Sequence, residues 1–216
     1  MNLNVVNYTK IIKGFTVLSH ISLSFTGGHI YGICGSKGSG KTSLFRAIIG
    51  QILPTEGDVL VNQRSIIKDN ANFHMFGTLI DQSDFYPNLT GFDNLMLLYQ
   101  INNRPNKAYI LQQMKRFGLE DYAHKRYDTY PLEMRQRLKI LQALMENQTI
   151  ILLDEPFAGF HDQGALDIIE ILNEEKEKGK LILLSSEKES DLAGLCDQIF
   201  HMSHGKLMDK SKGTIS

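Results

Sequence analysis

The chain has no tryptophan, only two cysteines and five prolines in 216 residues, and a formal net charge of −1. Each shortage excludes something. Cys34 and Cys196 are far apart and lack metal-type spacing, so a disulfide scaffold and a zinc ribbon are excluded and reduced core thiols are expected. A charge near zero is wrong for a surface built on phosphate backbones, so no nucleic-acid partner is expected. No run of about 18 apolar residues occurs, which predicts no transmembrane helix. Met1-Asn2-Leu3-Asn4 lacks the charged and apolar regions of a signal peptide, so the expected location is cytoplasmic. No low-complexity tract or internal repeat is visible. A 42% hydrophobic content supports a true core, in one large domain or a domain carrying an inserted subdomain.

What is present is more specific. Gly35-Ser36-Lys37-Gly38-Ser39-Gly40-Lys41-Thr42 has the pattern G-x-x-x-x-G-K-[ST]. Its glycines let successive backbone N–H groups turn inward around phosphates, while the lysine reaches the β/γ-phosphates and the threonine hydroxyl ligates a metal. The loop follows the apolar run Ile30-Tyr31-Gly32-Ile33-Cys34 and opens a helix-like run over 41–49 that stops at Gly50. That strand–loop–helix context predicts binding of a nucleoside triphosphate with Mg²⁺, because a helix N-terminus adds its own attraction for an anion. The candidate phosphate contacts are Gly35 to Thr42 and the adjoining Ser43.

Short strands are expected at 3–8, 21–25, 58–62 and 75–81, from alternating or continuous apolar residues. Over 83–147 the pattern turns helical. Thr90-x-x-Asp93 has the form of a helix-opening cap, a helix over 106–117 ends at Gly118, and Leu138, Leu141, Leu144 and Met145 share one helical face. Strand–helix alternation then resumes with strands at 149–153, 181–185 and 198–202 and a helix over 162–178. The expected fold is α/β: a phosphate-loop nucleotide-binding core of about 1–82 and 148–216, with an N-terminal antiparallel β contribution and an inserted helical subdomain of about 83–147.

Ile150-Ile151-Leu152-Leu153-Asp154-Glu155 is an apolar strand ending in two acids. A strand buried on both faces reads this way, and function in such sheets lies at the strand's C-terminal end. Asp154 is the candidate magnesium residue with Thr42. Glu155 is the candidate catalytic residue, placed to orient or deprotonate the water that attacks the γ-phosphate.

With these motifs in order, the whole chain resembles the nucleotide-binding subunit of an ATP-binding-cassette transporter. Gln82 matches the family's Q-loop glutamine, which the resemblance assigns to Mg²⁺ and to the membrane-subunit contact. Phe85-Tyr86-Pro87-Asn88-Leu89-Thr90 is similar to type-2 drug, antibiotic and bacteriocin exporters, and Leu195-Cys196-Asp197 and Gly205-Lys206-Leu207 match the closing segments. The resemblance implies a single ATP-binding domain that hydrolyses ATP. It would pair with a second cassette as a homo- or heterodimer and dock on membrane-spanning permease subunits at the inner face of the membrane. Phe85, Tyr86 and Leu89 are either part of that docking site or core of the helical part.

Several positions depart from the family. At the signature motif, LSGGQ, the chain reads Tyr130-Pro131-Leu132-Glu133-Met134: Pro131 replaces a serine and Glu133 a glycine. Proline has no amide donor but suits the first turn of a helix, and a carboxylate facing a triphosphate is repulsive unless it turns away. His161 stands where the D-loop aspartate would be, and Glu187 where the switch histidine would be. The adenine-stacking aromatic falls at Ile12, with Tyr8 or Phe15 as substitutes. These changes support an alternative, an ATP-binding regulatory or assembly module with little turnover; the retained Glu155 speaks for hydrolysis.

Overall fold

A computed structural model describes residues 1–68, 73–80 and 84–208. The first two strands, β1 (Asn2–Ile12) and β2 (Phe15–Thr26), form a hairpin. The chain continues through β3 (His29–Cys34), α1 (Lys41–Ile48), β4 (Glu56–Val61), β5 (Arg64–Ser65) and β6 (Phe76–Leu79). Three helices follow, α2 (Gly91–Tyr99), α3 (Lys107–Arg116) and α4 (Leu132–Leu144). The remainder is β7 (Ile150–Leu153), α5 (Asp162–Glu177), β8 (Leu181–Ser186), β9 (Gln198–Ser203) and β10 (Lys206–Leu207).

Two sheets result. β2-β1-β4-β5 is antiparallel, and β10-β9-β3-β8-β7-β6 is parallel except for its edge strand β10. The apolar residues of β7 divide between two cores. Ile150 and Leu152 face α1 and the antiparallel sheet, whereas Ile151 and Leu153 face the helices α2 to α5. A strand between two cores needs no polar face, which is why this segment is uninterruptedly aliphatic.

The helices begin and end where their sequences direct. The Thr90 hydroxyl accepts the Asp93 N–H at 3.0 Å and donates to the Asp93 carboxylate at 2.6 Å, closing the first turn of α2. Asn106 caps α3 through the Tyr109 N–H, and Gly118 follows at φ +66°. Pro131 is the flanking residue of α4, one position before the helix proper. The strands at the front of the chain are longer than their alternation implies, because bulges in β1 let the hairpin continue past Tyr8.

A buried ionic cluster ties α3 to the end of α5. The Glu175 carboxylate, almost wholly enclosed, is 2.9 Å from Arg116, 2.7 Å from Lys178 and 2.5 Å from Lys180. Burial pushes its pKa up, but the hydrogen bonds and charges of Lys178, Lys180 and Arg116 outweigh this and bring it to about 2. A folded-state pKa below the ordinary 4.5 gives stability that is present above about pH 4.5 and is lost as the pH falls toward 2. The full effect is about 3 kcal/mol. Acid titration of the unfolding midpoint should show this loss, and Glu175→Gln should flatten it; an unchanged pH profile in that variant would exclude the cluster as its source.

Candidate functional site

Strands β3, β7 and β8 are parallel neighbours and therefore end together, which gathers three distant segments at one edge. The loop after β3 wraps tightly. A Cβ on Gly35 would lie 2.4 Å from the Met202 carbonyl oxygen, and Gly40 enters α1 at φ +109°, so neither position admits a side chain. Gly205, just before β10, supports the loop from beside it by donating its N–H to the Ser39 carbonyl at 2.8 Å. Ser36, Lys37 and Gly38 form the exposed crest of the loop, whereas Ser39 is buried and its hydroxyl lacks a hydrogen-bond partner among the described residues.

Lys41 is only 6% exposed. Its ammonium donates to the Gly35 carbonyl at 2.6 Å and lies 3.3 Å from Glu155 Oε1. Thr42 Oγ1 donates to Asp154 Oδ2 at 2.5 Å. The other Asp154 oxygen accepts from the Ser185 hydroxyl, and the same hydroxyl accepts the Glu155 N–H at 3.0 Å. Glu155 itself sits at φ +50°, a left-handed conformation that is uncommon for a side-chain-bearing residue and concentrated at functional sites. The Gln136 side chain, from α4, donates to the Glu155 and Pro156 carbonyls at 3.3 and 3.1 Å. A cavity of about 430 Å³ opens between Gly38–Ser43 and Thr16, Val17 and His204. Lys41, Thr42, Asp154 and Glu155 are thus one constellation; Gln82 lies outside the described residues.

The departures have distinct structural outcomes. Glu133 turns inward: its carboxylate accepts from Arg137 at 3.0 Å and fills the space over Gly164 of α5. Arg137 is buried and also donates to the Phe117 carbonyl and to Asp167, at 3.1 and 2.7 Å. Pro131 is exposed at the start of α4, and Leu132 beside it covers Gly159. His161 is exposed and its side chain does not cap α5. Glu187 also points to solvent, but its N–H donates to Glu155 Oε2 at 3.3 Å.

Tyr8 must be removed from the adenine candidates. It is fully buried, its hydroxyl bonds the Ile52 carbonyl, and burial raises its pKa to about 12. It is a core residue. Ile12 and Phe15 instead pair across the exposed tip of the hairpin, Phe15 being 78% exposed and one residue before Thr16 of the cavity wall. Cys34 is buried and Cys196 half-buried, and burial raises the pKa of Cys34 and raises that of Cys196 to about 12.

A second cavity, of about 550 Å³, lies between β6 and α2 and is lined by Asp84, Tyr86, Leu97, Leu98 and Lys139. Phe85 packs edge-on against Tyr127 with ring centroids 5.2 Å apart, whereas Tyr86 is 68% exposed. The buried Asn94 fixes this segment by bonding both the N–H and the carbonyl of Tyr86. Of the three residues left open by the sequence, Phe85 is half-buried, packed against the core and lining the groove, Leu89 is half-buried, and Tyr86 faces the groove.

Residues 18–158 match the sequence profile of the family described as ABC transporter. The chain belongs to that family. It is an ATP-binding cassette of the ABC ATPase type. Across 97% of its length it is 38% identical to an uncharacterised ABC transporter ATP-binding protein of Bacillus subtilis, YybJ, covering 96% of that relative. The bacitracin transport ATP-binding protein BcrA of Enterococcus faecalis is 31% identical over 94% of this chain and 67% of its own length. In fold, the cassette resembles a dimeric bacterial ABC transporter cassette with a TM-score of 0.86, at 23% identity over 96% of this chain and 97% of that one. Among the described residues, no helix of the cassette is long and apolar enough to cross a membrane.

Proposed function

We propose that this cassette is the ATP-hydrolysing subunit of a membrane exporter, working as a dimer with a second cassette and docked on separate permease subunits at the cytoplasmic face. Residues 83–147 would be its helical subdomain. The observation that carries the reading is the convergence of Lys41, Thr42, Asp154 and Glu155 at one sheet edge. Relatives named for bacitracin and lantibiotic transport support an exporter and a peptide-antibiotic class of cargo.

Gly35 to Ser43 would cradle the triphosphate, and Lys41 would exchange the Gly35 carbonyl and Glu155 for the β/γ-phosphates. The donor set fits Mg²⁺: a threonine hydroxyl and a carboxylate oxygen 2.5 Å apart are hard oxygen ligands. Thr42 and Asp154 would hold the ion, with Gln82 as a third residue. The bound ion would neutralise charge on the phosphate oxygens. Once Lys41 has turned to the phosphates, Glu155 is left without its cation and can orient the attacking water and accept its proton. Inward-turned Glu133 removes the expected repulsion from the signature face, while Pro131 still offers neither hydroxyl nor amide.

The groove beside Tyr86 would receive a cytoplasmic segment of the permease. An exposed aromatic and two leucines supply apolar contact, and Asp84 and Lys139, 3.2 Å apart, supply a polar rim. Burial alone would raise the Asp84 pKa, but the Tyr127 hydroxyl and Lys139 outweigh it and keep the carboxyl below its ordinary range. Co-expression with the permease should bring the chain to membranes. The double variant Tyr86→Asp, Leu97→Asp is expected to lower the membrane-bound fraction about tenfold, because each change buries an unpaired charge. Retention equal to the parent chain would contradict docking at this groove.

A further inference from the structure

Ser185 is the penultimate residue of β8, the strand between the phosphate-loop strand β3 and the acid-bearing strand β7. It is wholly buried, with no exposed surface. A serine hydroxyl has one proton to give and lone pairs to accept with. Here the proton goes to Asp154 Oδ1, and a lone pair receives the Glu155 N–H at 3.0 Å. Thr42 holds the second Asp154 oxygen, so the plane of that carboxylate is fixed from both sides. The neighbouring Ser186 cannot substitute, because its hydroxyl is committed to Asp191 and to the Lys188 N–H.

The Glu155 amide bond matters for a second reason. Glu155 is held at φ +50°, which persists only where surrounding contacts enforce it. Ser185 holds its N–H and Gln136 its carbonyl, and in that conformation the carboxylate reaches Lys41 on one side and the Glu187 N–H on the other.

We propose that Ser185 is a positioning residue for ATP hydrolysis, a single buried hydroxyl that orients Asp154 toward the divalent cation and Glu155 toward the attacking water. The proposal rests on the roles given above to Asp154 and Glu155. It assigns this residue a task beyond pairing within the strand: one side chain keeps the metal-holding and water-activating groups in register.

The test uses the full chain, with Mn²⁺ as the probe ion followed by electron paramagnetic resonance in the presence of ADP. Metal-free ADP affinity and ATP turnover are measured in parallel. Ser185→Ala is expected to weaken Mn²⁺ binding about tenfold, the loss of one hydrogen bond to a charged group, and to lower kcat at least as much. Its metal-free ADP affinity should stay within about twofold of the parent, since no phosphate contact is removed. Ser185→Thr restores the hydroxyl and should recover both quantities, whereas Ser185→Cys, close to serine in volume but a weak donor, should fall between. Parent-like Mn²⁺ affinity in the alanine variant would overturn the proposal. So would equal losses in all three variants accompanied by weaker metal-free ADP binding, which would mark a packing role. Glu155→Gln separates the two readings: unchanged turnover there removes the catalytic role of Glu155, yet the Mn²⁺ result for Ser185 and Asp154 still stands or falls on its own.

Discussion

Replacing Lys41 with alanine is expected to cost the cassette about a hundredfold or more in ATP affinity, read by titration calorimetry. The ammonium is enclosed within the loop, held by the Gly35 carbonyl and the Glu155 carboxylate. Its removal takes a buried positive side chain from among the polar groups that would surround the triphosphate, in a place that water scarcely reaches. The loop's backbone N–H groups and the start of α1 remain, so weak binding should persist. Fold should persist as well, because α1 is anchored by Leu44, Phe45 and Ile48 in the core rather than by Lys41. Affinity within about threefold of the parent would show that the loop does not hold phosphate through this residue.

The framework was legible because its signals are local. A glycine-rich loop between an apolar strand and a helix, and an aliphatic strand ending in two acids, each state a backbone geometry within ten residues. The direction taken by single side chains was less legible. Glu133 carried a charge whose orientation decides between repulsion and indifference, and its i,i+4 relation to Arg137 was the available signal. What completes that contact is Gly164, some thirty residues away on α5. Tyr8 was misread for a similar reason. It stands as a substitute for the family's adenine-stacking aromatic because it is an aromatic near Ile12, whereas its hydroxyl is taken by the Ile52 carbonyl after α1 and its ring is buried in the core.

Ser185 and Gln136 illustrate the remaining gap. Both touch Glu155 through hydrogen bonds to its backbone, and backbone partners leave no charge pattern or spacing in a sequence. The nearest signal was positional: β8 runs apolar and then ends in serines, as β7 ends in acids. Parallel neighbours that end polar at the same edge are brought to one place by the sheet itself.

The proposed function turns on Glu155 as the group that activates water for cleavage of the γ-phosphate bond. Glu155→Gln keeps the size of the side chain and its capacity to orient water but removes the base. The Glu155 backbone contacts to Ser185 and Gln136 do not depend on the side chain, so the geometry of the site should survive. The deciding measurement is ATP turnover by the cassette co-expressed with the proposed permease, with ATP binding followed on the same preparations. The account predicts binding within about threefold of the parent and turnover lower by a hundredfold or more, the usual scale for loss of a general base. Turnover unchanged by Glu155→Gln, or a parent chain that binds Mg-ATP tightly with the proposed permease present and never hydrolyses it, would contradict it.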